Sequence, residues 1–291
     1  SRSETMNLII SKQELNKALQ QVAKAISSRT PIPILSGIKI EATAKQVIFT
    51  ASDTDITIQS FVYPEHNGEV LYELVEPGDA VLPAKIFTEI VRKMPQNQIE
   101  IQANAQFQTI IRSGQSEIQL MGMDPEEYPL LPTLDEHQHF SLKSEVLKSM
   151  IRQTSFAVST NESTPILTGI LWSLSDQVLK FVSTDRHRLA SRKSTIETDP
   201  ELLIKNIVIS GRTLNELNKL LPEEDTNIDV FLANNQVLFQ YDSILFYSRI
   251  LDGMYPDTSK IIPQTYKTEL VVNTKILLDA IDRANLISRE E

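Results

Sequence analysis

Ser183, Asp185 and His187 place a hydroxyl, a carboxylate and an imidazole in one short stretch, the side-chain types of a hydrolytic relay. Residues two to four apart in a strand or tight turn cannot form the buried hydrogen-bond chain in which an aspartate orients a histidine and the histidine takes the hydroxyl proton. The other histidines offer no substitute: His66 and His137 lie in polar, loop-like segments and His139 opens a strand pattern. The 291 residues include no cysteine, which removes thiolate nucleophiles, disulfides, zinc thiolate sites and iron–sulfur clusters together. No glycine-rich phosphate loop, His-Glu-x-x-His pair or dinucleotide fingerprint occurs. The expectation is therefore no catalytic residue, no metal site and no cofactor.

The remaining chemistry is that of charge. The chain carries 28 Lys and Arg against 38 Asp and Glu, a net −10, and taken as an average that argues against a phosphate ligand. The average hides a segregation. Windows 12–29, 84–94, 143–152 and 211–220 are each net positive, 274–283 is neutral, and the rest of the chain is more acidic than the whole. Such a distribution either presents a cationic surface to phosphates or places good helix formers on solvated faces, and the count leaves both readings open.

The elements that would carry these residues recur. Thr30-Pro31-Ile32-Pro33-Ile34-Leu35-Ser36-Gly37 is echoed by Ser163-Thr164-Pro165-Ile166-Leu167-Thr168-Gly169, and Ser52-Asp53 by Thr184-Asp185 at the same offset of 132 residues. Met94-Pro95 recurs as Leu221-Pro222 and Tyr128-Pro129 as Tyr255-Pro256, at an offset of 127. Asp53 and Asp185 thus occupy equivalent positions in different units, where each caps a turn more readily than the two could share a metal or a proton. Each copy reads as a short strand, an amphipathic helix (Leu15, Leu19, Val22; Val146, Met150, Ile151), alternating strands, and a second helix over 84–94 or 211–221 stopped by Pro95 or Pro222. Further strands close the unit. Trp172 and the apolar helix stripes are expected in the core.

This is an α+β class of repeated units, two helices packed on antiparallel sheets in each. Ser1–Thr5 ahead of Met6 reads as a vector-derived scar. Units are expected over 6–129 and 139–256, with linkers at 130–138 and 257–267. A third unit opens at 268–291, its start read from Leu270-Val271-Val272-Asn273-Thr274-Lys275-Ile276-Leu277-Leu278, with only an opening strand and a helix. It stops about 100 residues short of a full repeat, so the chain is expected to be truncated. The 41% hydrophobic composition is that of an ordinary globular protein, no apolar run spans a bilayer, and with no cysteine the cytoplasm is the default compartment.

The combination resembles the bacterial DNA polymerase III beta subunit family, the sliding clamps. The residues that carry the resemblance are Arg29-Thr30-Pro31-Ile32-Pro33-Ile34-Leu35, Ser52-Asp53, Leu82-Pro83-Ala84-Lys85, Arg112-Ser113-Gly114, Ser183-Thr184-Asp185-Arg186-His187-Arg188-Leu189-Ala190 and Asp252-Gly253-Met254-Tyr255-Pro256-Asp257. The resemblance implies a head-to-tail homodimer of three-domain chains closed into a ring, helices lining a central hole through which double-stranded DNA passes. It implies no catalysis; the clamp tethers the replicative polymerase to its template and so confers processivity.

Residue by residue, the resemblance implies a groove between the second and third domains for short Gln/Leu/Phe-rich peptides of the polymerase alpha subunit, the clamp loader and repair proteins. Its lining maps onto Leu167, Thr184, Arg186, His187, Arg188, Leu189, Pro256 and Ile261. Arg186 stands where many relatives carry Gly, which changes one edge of the groove. The DNA contact of the family maps onto Arg29, with helix-borne Lys12, Lys17, Lys85, Lys148, Arg152 and Arg212 as further candidates. Apolar contacts of the ring interface map onto Ile118 and Leu120, and a fragment lacking most of its third domain is not expected to close a ring. No membrane partner is implied. The other function class left open is a peptide-binding scaffold without affinity for DNA.

Overall fold

The computed structural model describes residues 5–131, 133–134, 137–259 and 265–288. Residues up to Tyr255 form one compact unit and those from Pro256 onward a second.

Strands and helices of the first repeat run β1 (Thr5–Ser11), α1 (Lys12–Val22), β2 (Gly37–Ala42), β3 (Val47–Ser52), β4 (Ile56–Val62), a short ribbon of β5 (Glu65–His66) and β6 (Glu69–Val70), β7 (Tyr72–Glu76), β8 (Gly78–Pro83), α2 (Ala84–Lys93), β9 (Gln98–Asn104), β10 (Gln108–Ser113) and β11 (Ser116–Met121). The second repeat gives β12 (Gln138–Lys143), α3 (Ser144–Thr154), β13 (Gly169–Ser175), β14 (Val178–Thr184), β15 (Leu189–Thr195), β16 (Ile204–Ser210), α4 (Gly211–Leu220), β17 (Asn227–Leu232), β18 (Gln236–Tyr241) and β19 (Ile244–Arg249). In the second unit only α5 (Thr274–Ser288) is regular among the described residues.

Three sheets carry the helices, in strand orders β11-β10-β9-β1-β7, β15-β14-β13-β16 and β12-β17-β18-β19-β4-β3-β2-β8. The eight-stranded sheet joins both repeats: β19 of the second pairs antiparallel with β4 of the first, Phe246 opposite Ile58. The helices lie on these sheets by one stripe each. α1 buries Leu15, Ala18, Leu19 and Val22, α2 buries Phe87, Ile90 and Val91, α3 buries Leu147, Met150 and Ile151, and α4 buries Leu214 and Leu217. The spacing of three and four residues puts each set on one face, and each fully buried Leu or Phe contributes about 1.5–3 kcal/mol. Ser11 and Ser210 accept the backbone N–H of Glu14 and Thr213 and cap α1 and α4. Trp172 is fully buried and stacks on Phe181 at 4.2 Å.

Gly37 and Gly169 show why the repeated motif ends in glycine. A Cβ at Gly37 would lie 2.6 Å from Val81 and one at Gly169 2.5 Å from Val208, so neither site has room for a side chain.

Three details differ from the sequence reading. β1 begins at Thr5, inside the segment set aside as a scar, because Thr5 still finds Asn104 as a ladder partner. The expected linker gives up Gln138 to β12, which pairs with Leu232; residues 132, 135 and 136 lie outside the described residues. Residues 270–273 form no strand, since a strand exists only through a paired neighbour and no described strand pairs with them. The helix that follows begins at Thr274, as the pattern indicates.

Candidate functional site

The segment between β14 and β15 is a tight loop built by its own polar side chains. Asp185 Oδ1 accepts the backbone N–H of His187 at 2.9 Å and of Arg188 at 3.0 Å, and its Oδ2 holds Arg188 Nε at 3.2 Å. The N–H of His187 is the largest of the influences that hold the Asp185 carboxyl below the usual carboxylate range, with Arg188 adding to it. The Thr184 hydroxyl donates to the Arg188 carbonyl at 2.6 Å and accepts the Arg186 N–H at 3.1 Å, while its own N–H donates to the Tyr255 hydroxyl at 3.0 Å. Arg186 has a φ of +79°, a left-handed conformation that glycine adopts freely and a side chain with a Cβ does not.

Beneath the loop lies a small apolar cluster of Leu167, Val182, Val208 and Tyr255, with Leu189, Ile166, Leu171 and Leu251 partly buried against it. Burial pushes the Tyr255 hydroxyl up to about 12. A depression of about 350 Å³ is bounded by the loop on one side and by Val158–Asn161, Thr164 and Leu167 on the other. Leu167 itself is only 2% exposed, so it forms floor more than wall. Thr184 is equally buried, its hydroxyl bonded within the loop and its N–H to Tyr255, so neither is open to a bound peptide backbone.

The structure brings together Leu167, Thr184, Arg186, His187, Arg188 and Leu189. Pro256 is exposed in the second unit, and Ile261 lies outside the described residues. Phe156 is a neighbour that sequence reasoning missed: it is 58% exposed and carries the Arg188 guanidinium 5.5 Å from its ring centroid. A lone Phe after a helix reads as core, and no spacing rule would have singled it out. The imagined relay is absent, since the buried Ser183 hydroxyl donates to the Thr154 carbonyl and Asp185 is consumed by backbone amides.

The first repeat carries a parallel assembly. Asp53 Oδ1 accepts the N–H of Asp55 at 2.7 Å and of Ile56 at 2.6 Å, which bears out the turn-capping reading. Ile34, Leu35, Val81 and Tyr128 make the matching cluster. Here the buried Tyr128 hydroxyl has no well-formed hydrogen bond among the described residues: burial raises its pKa, and the nearby Ser52 N–H, counterpart of that of Thr184, offsets this only in part.

The cationic candidates divide. Lys17, Lys85, Arg152 and Arg212 are exposed on their helices, and Arg29 is exposed in the turn beyond α1. Lys12 instead donates from Nζ to the carbonyl of Met94, the C-cap of α2, at 2.6 Å, and Lys148 to the Pro222 carbonyl in the turn just beyond α4 at 3.0 Å. Their charges serve packing of α1 against α2 and of α3 against α4. Ile118 is 39% exposed on the edge strand β11 and Leu120 packs partly against the core.

The repeats correspond to known sequences. A model of the DNA polymerase III beta subunit N-terminal domain matches residues 6–132, and one of its central domain matches 141–257. The curated "Beta sliding clamp" of Bacillus subtilis is 48% identical over 285 residues, covering 98% of this chain and 75% of the relative. The crystal structure of the DNA polymerase sliding clamp from the same organism superposes with a TM-score of 0.95 at 47% identity, covering 98% of this chain and 74% of that one. A sliding clamp from Bartonella birtlesii bound to griselimycin has a TM-score of 0.83 at 28% identity, covering 96% of this chain and 74% of that one. With both repeats matched and nearly half of the residues shared, this chain belongs to the DNA polymerase III beta subunit family.

Proposed function

We propose that the chain acts as a sliding clamp: a non-catalytic processivity factor whose full-length form encircles duplex DNA as a homodimeric ring and tethers the replicative polymerase and other partners. The observation that carries the reading is the division of the helices. All four in the first unit bury one stripe in the sheets and leave basic residues, Lys17, Lys85, Arg152 and Arg212, exposed in a chain of net charge −10. Cations that meet phosphates without reading bases give attraction that is independent of sequence and weakened by salt, which suits a protein that must slide. Polymerase alpha subunit, clamp loader and repair peptides dock on the Thr184–Leu189 loop and its apolar floor, and a cytoplasmic location accords with this role. Among the described residues no helix is long and apolar enough to cross a membrane.

Binding to a labelled duplex, measured across a salt series, tests the reading. Charge reversal of Arg152 and Arg212 should lower affinity and flatten the salt slope by roughly one for each phosphate no longer neutralised. A protein that binds a polymerase-derived peptide but shows no salt-dependent affinity for duplex is the peptide scaffold instead.

A further inference from the structure

We infer that Arg186 makes the docking loop a selector for peptides whose apolar anchors are flanked by acidic residues; this rests on the docking role proposed above. Among the described residues, the depression is lined by two cationic side chains, Arg186 and Arg188, by His187, and by one carboxylate, Asp185. That carboxylate is already occupied by two backbone N–H groups and by Arg188 Nε. Arg188 is in turn held by Asp185 and lies over the Phe156 ring. Arg186 is exposed, and no described carboxylate pairs with it. Its backbone at φ +79° fixes it at the turn, where a bulky residue is conformationally costly. The loop is thus a local positive rim on a protein of net charge −10, and its complement is an extended segment that sets a negative side chain beside its anchors.

Fluorescence anisotropy with the whole chain tests this, using three labelled peptides that share one Gln/Leu/Phe core and differ only in flanks of Glu, Gln or Lys. The acidic peptide should bind about fivefold tighter than the basic one at low salt, and the difference should fade as salt screens the rim. Arg186→Gly and Arg186→Asn, both compatible with a left-handed backbone, should abolish the preference, so that the three peptides bind alike. Arg186→Asp should reverse it. Equal binding of all three peptides by the parent chain, or a preference that survives in Arg186→Gly, overturns the inference while docking itself stands. Failure of every peptide to bind overturns both. Displacement of the acidic peptide by oligothymidylate in an Arg186-dependent manner would assign the rim to nucleic acid and equally overturn the inference.

Discussion

Tyr128 and Tyr255 occupy the same place in two repeats and differ in one hydrogen bond. The Tyr255 hydroxyl accepts the buried N–H of Thr184, whereas that of Tyr128 is buried without a well-formed hydrogen bond among the described residues. Removing the first leaves a backbone donor unsatisfied, which costs about 1–3 kcal/mol, while removing the second relieves a desolvated group. Tyr255→Phe should therefore lower the urea midpoint and Tyr128→Phe should leave it unchanged or raise it. The same burial makes an alkaline prediction. Because folding raises the Tyr255 pKa to about 12 from an ordinary value near 10, its contribution is complete below about pH 10 and is lost as pH climbs toward 12. Stability followed at rising pH, with phenolate absorbance read in parallel, should fall in that window, and Tyr255→Phe should fall less steeply. Arg186→Gly should gain up to about 1 kcal/mol, since relief of the left-handed strain exceeds the added entropy of glycine in the unfolded chain. An unchanged or lower midpoint would mean that the loop tolerates its arginine without strain.

Helices and strands show where a sequence speaks and where it falls silent. The stripe of α1, the stops at Pro95 and Pro222 and the loop motif with its terminal glycine follow from period and repeat alone, because burial of one face demands that period; in α3 Met150 and Ile151 are buried as the period indicates, but Leu147 takes the place of Val146, which packs only partly. β15 does not: Ser191-Arg192-Lys193-Ser194 shows no apolar alternation, as it sits at a sheet edge with most side chains in solvent. The stacking of Arg188 on Phe156 is equally invisible, since it joins residues from separate elements. Charge was legible as a segregation, but its use was not. Lys12 and Lys148 look like Lys17 and Arg152 in sequence, yet their ammonium groups hold carbonyls at the C-cap of α2 and in the turn just beyond α4. Lys12→Met and Lys148→Met should therefore lower stability by about 1 kcal/mol and change duplex affinity less than Arg152→Glu does. A larger loss of DNA binding than of stability in the lysine variants would return them to the phosphate-facing set.

Across the whole first unit, the decisive feature is the ladder between β19 and β4, which makes the two repeats one sheet. Units that touch only through a polar linker unfold separately, but a shared sheet gives each repeat a hydrogen-bonded edge that the other must supply. Phe246 is fully buried and faces Phe239 at 6.1 Å in the same sheet. Phe246→Ala should cost about 3–5 kcal/mol, and the loss should appear in the first repeat as well as the second. Amide exchange read at β3 of the first repeat and at β17 of the second would show it. Protection should fall by the same free energy at both sites if residues 5–255 open as one cooperative body. Retained protection in β3 beside lost protection in β17 would mean that the repeats are autonomous, and that the β19–β4 ladder forms between modules already folded.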